Sequence, residues 1–383
     1  MTEKLFYQDA YLTEFTATVV SCAETAKHGF EVVLDRTAFY PEGGGQPGDT
    51  GTLGGVRVTD THEKDGKVVH YCAGPLDINA EVRGEIDWDR RFDLMRQHSG
   101  EHIVSGIICA RYGCDNVGFH LGAETVVIDF NRPIPPEELT EIELAANEVI
   151  WADRPILVTH PSPEELKTLP YRSKKELSGD VRIVECPGAD CCACCGTHVR
   201  SAGELGLIKL IGLKPFREGV RIELLAGERA YDYVCMTAEQ NHRVSVLTSA
   251  KPGETAAAVE RLKAELAAEK YRAVGLENQL FARIAAEHAG KGGTLLFEDA
   301  LSPDALRRLC EAVTATCGGR CAAFSGADGE GYKYAIGSSD GDLRAFAKDM
   351  NAALNGRGGG KQPNFAQGSV RASRAEIEDY FKR

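Results

Sequence analysis

Residues 89–113 read DRRFDLMRQHSGEHIVSGIICARYG, and with them the pattern of the sequence changes from strand-like to helical. Phe92, Met95, His98 and His102 recur at spacings of three and four residues, which is the period of a helix face. Residues four apart lie on the same side of a helix, so both imidazoles can point at one ion. The stretch therefore predicts a helix whose two histidines are either half of a metal site or two ordinary histidines.

The residues before this helix have a different period. Residues 1 to about 90 alternate short apolar runs with Gly and Asp turns, as in FTATVVSC, GFEVVLD and EVRGEIDW. This alternation predicts strands, and we expect a small β-barrel or sandwich. After the helix, VVIDF, VRIVEC and ELGLIKLIGLK indicate strands, and PPEELTEIELAANEVIWA begins like a helix. The predicted fold class is α+β.

The C-terminal half contains a long segment without proline. Val259, Leu262, Leu266, Leu276 and Leu280 follow a heptad within residues 254–288, which predicts one long helix. The helix is either half of a hairpin or short coiled coil, or a plain amphipathic surface helix. From Thr294 the pattern is strand, helix, two strands and helix, followed by a glycine-rich loop and a terminal helix. That order predicts a small α/β domain.

The composition is that of a soluble globular protein, with 43% hydrophobic and 26% charged residues. No apolar run reaches the roughly 18 residues that a membrane span needs. The first residues, MTEKLFYQDAYLTEF, lack the apolar segment of a signal peptide, so we expect a cytoplasmic protein with no membrane partner. The net charge of −13 disfavours a nucleic-acid partner, but residues 198–221 and 343–374 are locally basic.

A second stretch, CCACCGTHV at residues 191–199, completes the metal site. In a reducing compartment, clustered cysteines indicate metal ligands before disulfides. Cys194 and His198 are four residues apart in a tight turn, like His98 and His102 on the helix. One thiolate and three imidazoles are a ligand set that suits tetrahedral zinc. The sequence therefore predicts that His98, His102, Cys194 and His198 bind one Zn²⁺.

The stretch HSGEH also fits the H-x-x-E-H pattern of inverted zinc peptidases. In that reading Glu101 is the general base, and Glu176 or Glu185 is the third ligand. The peptidase hypothesis leaves the CCGTH turn unexplained.

Two glycine-rich stretches remain. In TAFYPEGGGQPGDTG, residues 37–51, the three glycines admit a ligand close to the main chain, and Thr37 and Gln46 offer neutral hydrogen-bonding groups. The alternative is a hairpin turn with a polar rim. In GRGGGKQPNFAQGS, residues 356–369, Arg357 and Lys361 among backbone N–H groups suit phosphate, and the alternative is a flexible linker.

In this order and spacing, TAFYPEGGGQPGDTG, RQHSGEH and CCGTHV resemble the editing domain of alanyl-tRNA synthetase, as does REGVRIELLAGERAYDYV. The last domain is similar to the C-terminal domain of that synthetase, which some DHH phosphoesterases share, although this chain has no DHH triad. The arrangement resembles the long form of the AlaX trans-editing proteins, and the resemblance covers nearly the whole chain.

The resemblance implies a zinc-dependent aminoacyl-tRNA deacylase that removes serine, and by extension glycine, from mischarged tRNA(Ala). The zinc ligands of the family map onto the four residues named above. Cys195 stands where the family often has glycine, and we expect Cys191, Cys192 and Cys195 not to be ligands. Thr37 resembles the hydroxyl that senses serine, and Gln46 is a neighbour suited to hold the ester or the terminal ribose.

Two mechanisms stay open at this point. Four protein ligands make a closed structural site, whereas catalytic zinc keeps an open position. Either one ligand is loose and a zinc-bound water attacks the ester, or zinc positions the substrate and another water attacks. A non-catalytic, zinc-stabilised tRNA-binding module is the alternative to both.

The predicted domains follow from these patterns. They are a β-barrel subdomain over 1–90, the zinc-dependent editing domain over 91–240, a long helix or helical hairpin over 241–291, and an α/β domain for tRNA binding or dimerisation over 292–383. We expect Arg217, Arg221, Arg357 and Lys361 to contact tRNA, and a homodimer through the 254–288 helix or the C-terminal domain.

Overall fold

The structure is a computed structural model that describes residues 1–26, 29–173, 181–339 and 341–382. The chain divides into two compact units, Met1–Gln240 and Asn241–Arg383. Both contain helices and sheets, so the predicted α+β class is confirmed.

The first part of the first unit is built from short strands that alternate buried and exposed residues. Six of them pair in the order β2-β3-β7-β6-β5-β8, and β8 pairs back with β2, so the sheet closes into a barrel. Alternation turns one side of each strand inward, and in β8 this side carries Val82 and Ile86. The elements are β1 (Glu3–Lys4), α1 (Leu5–Gln8), β2 (Glu14–Thr25), β3 (Gly29–Leu34), β4 (Arg36–Thr37), β5 (Gly51–Leu53), β6 (Val56–Lys64), β7 (Lys67–Cys72) and β8 (Glu81–Ile86).

The second part of this unit surrounds one long central helix, α2. An antiparallel sheet of order β14-β15-β10-β9 and a smaller sheet of order β11-β12-β13 enclose a common core with it. The elements are α2 (Trp88–Tyr112), β9 (Asn116–Leu121), β10 (Val126–Phe130), α3 (Leu139–Trp151), β11 (Leu157–Thr159), α4 (Pro163–Leu166), β12 (Ile183–Cys186), β13 (Asp190–Ala193), β14 (Ile208–Phe216), β15 (Gly219–Ala226) and α5 (Gly227–Thr248).

Glycine brings α2 close to the turn before β13. A Cβ atom at Gly106 would lie 2.2 Å from the carbonyl oxygen of Ala189, which is far inside van der Waals contact. Only a residue without a side chain allows this approach. The helix that carries His98 and His102 is thereby held against the segment that leads to Cys194.

A buried ion pair attaches α2 to the barrel. Arg91 Nε donates to both carboxylate oxygens of Asp49, at 2.9 and 2.8 Å, and its terminal nitrogens donate to the carbonyls of Ala10 and Ala38. Asp49 also accepts from the Tyr40 amide at 2.6 Å. Because Arg91 and Asp49 are both fully buried, each compensates the desolvation of the other.

The second unit is a five-stranded sheet with helices on both faces, in the strand order β16-β17-β18-β20-β19. Cys321 and Ala323 of β17 face the core formed with α6 and α7, and Ala322 and Phe324 face the opposite core with α8 and α9. The elements are α6 (Thr255–Glu287), β16 (Thr294–Glu298), α7 (Pro303–Cys317), β17 (Arg320–Ala327), β18 (Gly331–Ser338), α8 (Arg344–Ala353), β19 (Gly356–Gly359), β20 (Phe365–Val370) and α9 (Arg374–Lys382).

The glycine-rich loop predicted after α8 is shorter than expected, since only residues 360–364 of it lie outside strands. Residues 356–359 form β19, which pairs antiparallel with β20, so Gly358 lies opposite Gly368. A Cβ atom at Gly358, where φ is +152°, would lie 2.5 Å from Gly368 Cα and 2.6 Å from the Tyr334 hydroxyl. The glycines therefore serve close packing of an edge strand rather than the freedom of a linker.

The predicted long helix is confirmed as α6. Val259, Leu262, Leu266, Leu276 and Leu280 along it are exposed in this unit. The coiled coil and the homodimer stay predictions. In the part of the chain that the structure describes, no helix combines the length and the apolar content that crossing a membrane requires.

Replacing Asp49 with Asn should destabilise the first unit by about 3–5 kcal/mol, because the buried Arg91 charge loses its counter-charge. Trp88 and Trp151 are the two tryptophans of the chain and both lie in this unit, so denaturant unfolding followed by tryptophan fluorescence measures the effect. Glu14→Gln, which removes an exposed ion pair with Arg83, should cost less than about 1 kcal/mol. Equal effects of the two changes would contradict the role given to Asp49.

Candidate metal centre

Two segments bring four ligands together inside the first unit. His98 and His102 lie on successive turns of α2, and Cys194 and His198 follow β13. Their ligand atoms all lie within 4.8 Å of one another, and Cys194 Sγ is 3.4 Å from Nε2 of both His98 and His198. Ligand atoms about 2.0–2.3 Å from a tetrahedral zinc are about 3.5 Å apart, so these residues fit that ion.

Each imidazole has its outer nitrogen next to an oxygen, which orients the ring. His98 Nδ1 is 2.8 Å from Gln46 Oε1, His102 Nδ1 is 2.9 Å from Asp190 Oδ2, and His198 Nδ1 is 3.2 Å from Ser99 Oγ. This leaves the three Nε2 atoms for a metal. Such outer contacts fix the tautomer and orientation of metal-binding histidines.

Gln46 connects three parts of the site. Its Oε1 accepts from His98 Nδ1 and, at 3.1 Å, from the Thr197 amide, and its Nε2 donates to Thr197 Oγ1 at 2.7 Å. All three residues are buried. The glycine-rich loop of the barrel is thereby joined to both ligand-bearing segments. The contact of Gln46 with the substrate stays a prediction; the contact that the structure shows is with His98.

Asp190 is the carboxylate behind His102. Arg172 donates to both of its oxygens, from Nε at 2.7 Å and from Nη2 at 2.8 Å. Burial disfavours the charged form, but the contacts with His102 and Arg172 hold the pKa of Asp190 below its ordinary value. The side chain is therefore an anion, which makes His102 a better electron donor to a metal.

The cysteines of the CCACC stretch differ in charge. Burial opposes ionisation of Cys194, but the three imidazoles outweigh it and hold the pKa of this thiol well below its ordinary value. Burial raises the pKa of Cys191 to about 11, and it also raises the pKa values of Cys192 and Cys195. Cys192 lies within 4.8 Å of His102 and Asp190 but stays a neutral thiol, and Cys195 is exposed. The thiolate is at Cys194.

The lack of a side chain at Gly196 leaves room for the imidazole ring of His98. A Cβ atom there would lie 2.1 Å from His98 Cε1 and 2.4 Å from Nδ1. The neighbouring Cys195, which stands where the family often has glycine, has no positive φ, so a side chain causes no backbone strain there. A side chain is therefore tolerated at position 195, whereas glycine is sterically required at position 196.

Thr37 is buried in the barrel, and its hydroxyl is held by His70. His70 Nδ1 is 3.0 Å from the carbonyl of Val32, so it carries the proton, and Nε2 accepts from Thr37 Oγ1 at 2.8 Å. Burial lowers the pKa of His70 to about 4, so the ring is neutral. Thr37 Oγ1 also accepts from the Phe39 amide at 3.1 Å. Its donor is therefore used, and one lone pair is left to accept. Among the described contacts, none joins Thr37 to the four ligands.

The peptidase hypothesis gains no support from this geometry. Glu101 is buried, and its Oε1 accepts from Ser105 at 2.7 Å and from Asn116 at 2.5 Å. Glu185 is not part of the ligand cluster in the described residues, and Glu176 lies outside them. Cys194, which the peptidase pattern does not need, belongs to the cluster.

The four predicted tRNA contacts divide between the two units. Arg221 donates to both oxygens of Asp129, at 2.7 and 2.8 Å, so its charge is already balanced. Arg217 is exposed in the turn between β14 and β15, and Arg357 and Lys361 are exposed at and after β19. These three cations are better placed than Arg221 to meet phosphate.

Sequence reasoning missed Asp190, Ser99 and Thr197. Ser99 and Thr197 lie inside the quoted stretches, and Asp190 directly precedes the cysteines. Their positions beside ligands were a usable signal, since metal-binding histidines usually have such partners. Which partner meets which ring depends on contacts across 52 to 99 residues and is not visible in the sequence.

Comparisons with known proteins relate the chain to alanyl-tRNA synthetases and alanyl-tRNA editing proteins. The chain matches the family model of class II (A) tRNA synthetases over residues 2–90, and that of the threonyl and alanyl tRNA synthetase second additional domain over residues 181–223. It is 35% identical over 272 residues to the alanyl-tRNA editing protein Aarsd1-A of Xenopus laevis, covering 67% of this chain and 66% of that protein. It is 35% identical over 240 residues to the alanyl-tRNA editing protein AlaX-L of Pyrococcus horikoshii, covering 60% and 59%. It is 34% identical over 279 residues to the alanine–tRNA ligase of Ignicoccus hospitalis, covering 69% and 30%.

Residues 2–90 and 181–223 therefore match domains found in class II aminoacyl-tRNA synthetases. The chain belongs to the alanyl-tRNA synthetase editing-domain family, with the alanyl-tRNA editing proteins among its relatives. The matched region spans 66% or less of the length of the relatives named here.

Cys194→Ala should abolish stoichiometric zinc binding, because it removes the one thiolate of the site. Zinc content of the purified protein by elemental analysis is the measurement. Cys195→Ala is the matched control, since its exposed thiol lies one residue away, and it should retain zinc. Loss of zinc in the control with retention in Cys194→Ala would reverse the assignment.

Gly196→Ala should lower zinc affinity at least about 10-fold, the effect expected when the support of a ligand is disturbed. The added methyl group displaces His98 from its position. A competition titration with a chelator measures the change. Gly212→Ala in β14, where a Cβ atom meets nothing closer than 3.8 Å, should bind zinc like the unaltered protein. An unchanged affinity in Gly196→Ala would show that His98 is not a ligand.

Proposed function

We propose that this protein is a zinc-dependent aminoacyl-tRNA deacylase that removes serine from mischarged tRNA(Ala), with glycine as a second substrate. The observation that carries the proposal is the set of one thiolate and three oriented imidazoles within 4.8 Å of one another. The relatives named alanyl-tRNA editing proteins support the choice of tRNA(Ala).

His98, His102, Cys194 and His198 would hold the zinc, since a thiolate with neutral imidazoles suits this borderline ion. Bound zinc supplies Lewis acidity, which polarises an ester carbonyl or makes water more acidic. Gln46, Asp190 and Ser99 keep the three rings in place. Because these supports are buried, the site needs little reorganisation when an ester enters.

Selection of serine follows from the hydroxyl of Thr37. A pocket built for alanine rejects an analogue with an added hydroxyl only about 100-fold, so a second site must recognise that hydroxyl. Thr37 Oγ1 donates its hydrogen bond to His70 Nε2. The remaining lone pair of Oγ1 can accept a hydrogen bond from the serine hydroxyl. The alanine methyl group cannot make this bond, so an alanyl ester gains nothing at this position.

The tRNA body would be bound by exposed cations of both units. Arg217 of the first unit and Arg357 and Lys361 of the second have no carboxylate partner among the described residues. Arg221 contributes less, because Asp129 already balances it. The homodimer through α6 or the C-terminal domain, and action in the cytoplasm, belong to the same proposal.

A non-catalytic, zinc-stabilised tRNA-binding module is the second candidate. The observation in its favour is that four protein ligands close the tetrahedron of a structural zinc site. Turnover separates the two, since a binding module protects the ester and a deacylase cleaves it.

The deciding experiment is deacylation of Ser-tRNA(Ala), Gly-tRNA(Ala) and Ala-tRNA(Ala) by the unaltered protein, Cys194→Ala and Thr37→Val. We expect rapid loss of serine but not alanine, no activity in Cys194→Ala, and a loss of serine preference of about 10-fold or more in Thr37→Val. Binding of tRNA without hydrolysis would favour the second candidate. Hydrolysis by Cys194→Ala at the unaltered rate would refute a zinc enzyme.

A further inference from the structure

Arg182 has the one buried side-chain nitrogen or oxygen without a hydrogen-bond partner in the described residues. The atom is Nε of its guanidinium. A buried donor left without an acceptor is unfavourable, so such a group needs an explanation, and a bound ion is one of them. Arg182 directly precedes β12 and contacts the turn that carries the metal ligands.

The Nη1 end of the guanidinium is held by the turn that carries the metal ligands. Nη1 donates to the carbonyls of Cys194 at 2.9 Å and Gly196 at 2.8 Å, which uses both of its hydrogens. The Arg182 carbonyl accepts from the Cys194 amide at 3.1 Å, and the guanidinium lies 5.4 Å from the ring centre of Tyr7. The Nε–H group is on the opposite edge, the one that forms two parallel bonds to a carboxylate or phosphate.

No carboxylate of the described residues neutralises Arg182. The nearby Glu63 is paired with Lys4, whose Nζ lies 2.8 and 2.9 Å from its two oxygens. A fixed cation with an unused donor therefore lies next to the metal ligands.

We propose that Arg182 binds the phosphate of the terminal nucleotide of the tRNA. This inference rests on the proposed function, because that function puts the aminoacyl ester at the metal. An aminoacylated 3′ end carries a cationic amino group, a neutral ester and a neutral ribose, so its anions are the phosphates. The phosphate of the esterified nucleotide is the one nearest to the ester. Arg182 is a positioning residue, since it holds the substrate through a group that does not react.

The test compares mischarged tRNA(Ala) with the same tRNA in which an uncharged methylphosphonate replaces the last internucleotide phosphate. For the unaltered protein we expect KM of deacylation to rise about 10- to 100-fold, the effect of losing a hydrogen bond to a charged group. A methylphosphonate several linkages upstream should change KM much less. This comparison needs no altered protein, so it does not depend on how a variant folds.

The quantity to compare between variants is the KM for the tRNA with the terminal methylphosphonate divided by the KM for the unmodified tRNA. Arg182→Gln, which can still donate to one carbonyl of the turn, should reduce this ratio towards 1. Arg182→Lys keeps the charge without the planar fork and should give an intermediate ratio. Arg132→Gln is the matched control, because it removes an exposed cation of the same unit that has no role in the proposed function and should leave the ratio unchanged. A purely structural role of Arg182 would impair both substrates equally and leave the ratio as it is.

An unaltered protein that deacylates both tRNAs with the same KM would overturn this inference and leave the proposed function intact. The same holds if the ratio is large and Arg182→Gln retains it, since another group then binds the phosphate. Failure to deacylate the unmodified mischarged tRNA would instead reject the proposed function, and this inference with it.

Discussion

The hydrogen bond between His98 Nδ1 and Gln46 Oε1 is the contact on which the site depends. It joins a loop of the barrel to the central helix, and through Thr197 the same amide reaches the turn with Cys194 and His198. Three segments that are distant in the sequence are thereby held in one arrangement. Because the amide is fully buried, water does not compete for its bonds, and the position of the His98 ring follows from the fold.

The charges of the cluster explain why a cation suits it. Burial alone would lower the pKa of His102, but the Cys194 thiolate and Asp190 hold it well above its ordinary value. Burial and the neighbouring His98 hold the pKa of His198 well below its ordinary value. His102 and His198 thus differ in their protonation although both are candidate ligands. Metal ligands must be deprotonated, so binding of a metal would displace a proton from His102.

The sequence allowed prediction of the helix, its two histidines and the α+β class, because spacings of three and four residues are a local property. The paired Cys194 and His198 were found in the same way. The strand around Gly358 could not be predicted, because its pairing with β20 and its contact with Tyr334 form only in the folded protein. The partners of the imidazoles and the unpaired Nε of Arg182 could not be predicted from the sequence either, because they depend on side chains that meet only in the folded protein.

Strand β19 lies at the edge of its sheet, with β20 on one side and no described strand on the other. An open edge can pair with a strand of another molecule, and flat glycine-rich backbone gives little steric protection against it. Charged side chains at such an edge oppose this association, because pairing would bring like charges together and bury them. Arg357 within the strand and Lys361 after it thus also oppose aggregation through this edge. Replacing them would lower the solubility of the protein as well as remove any contact they make to RNA.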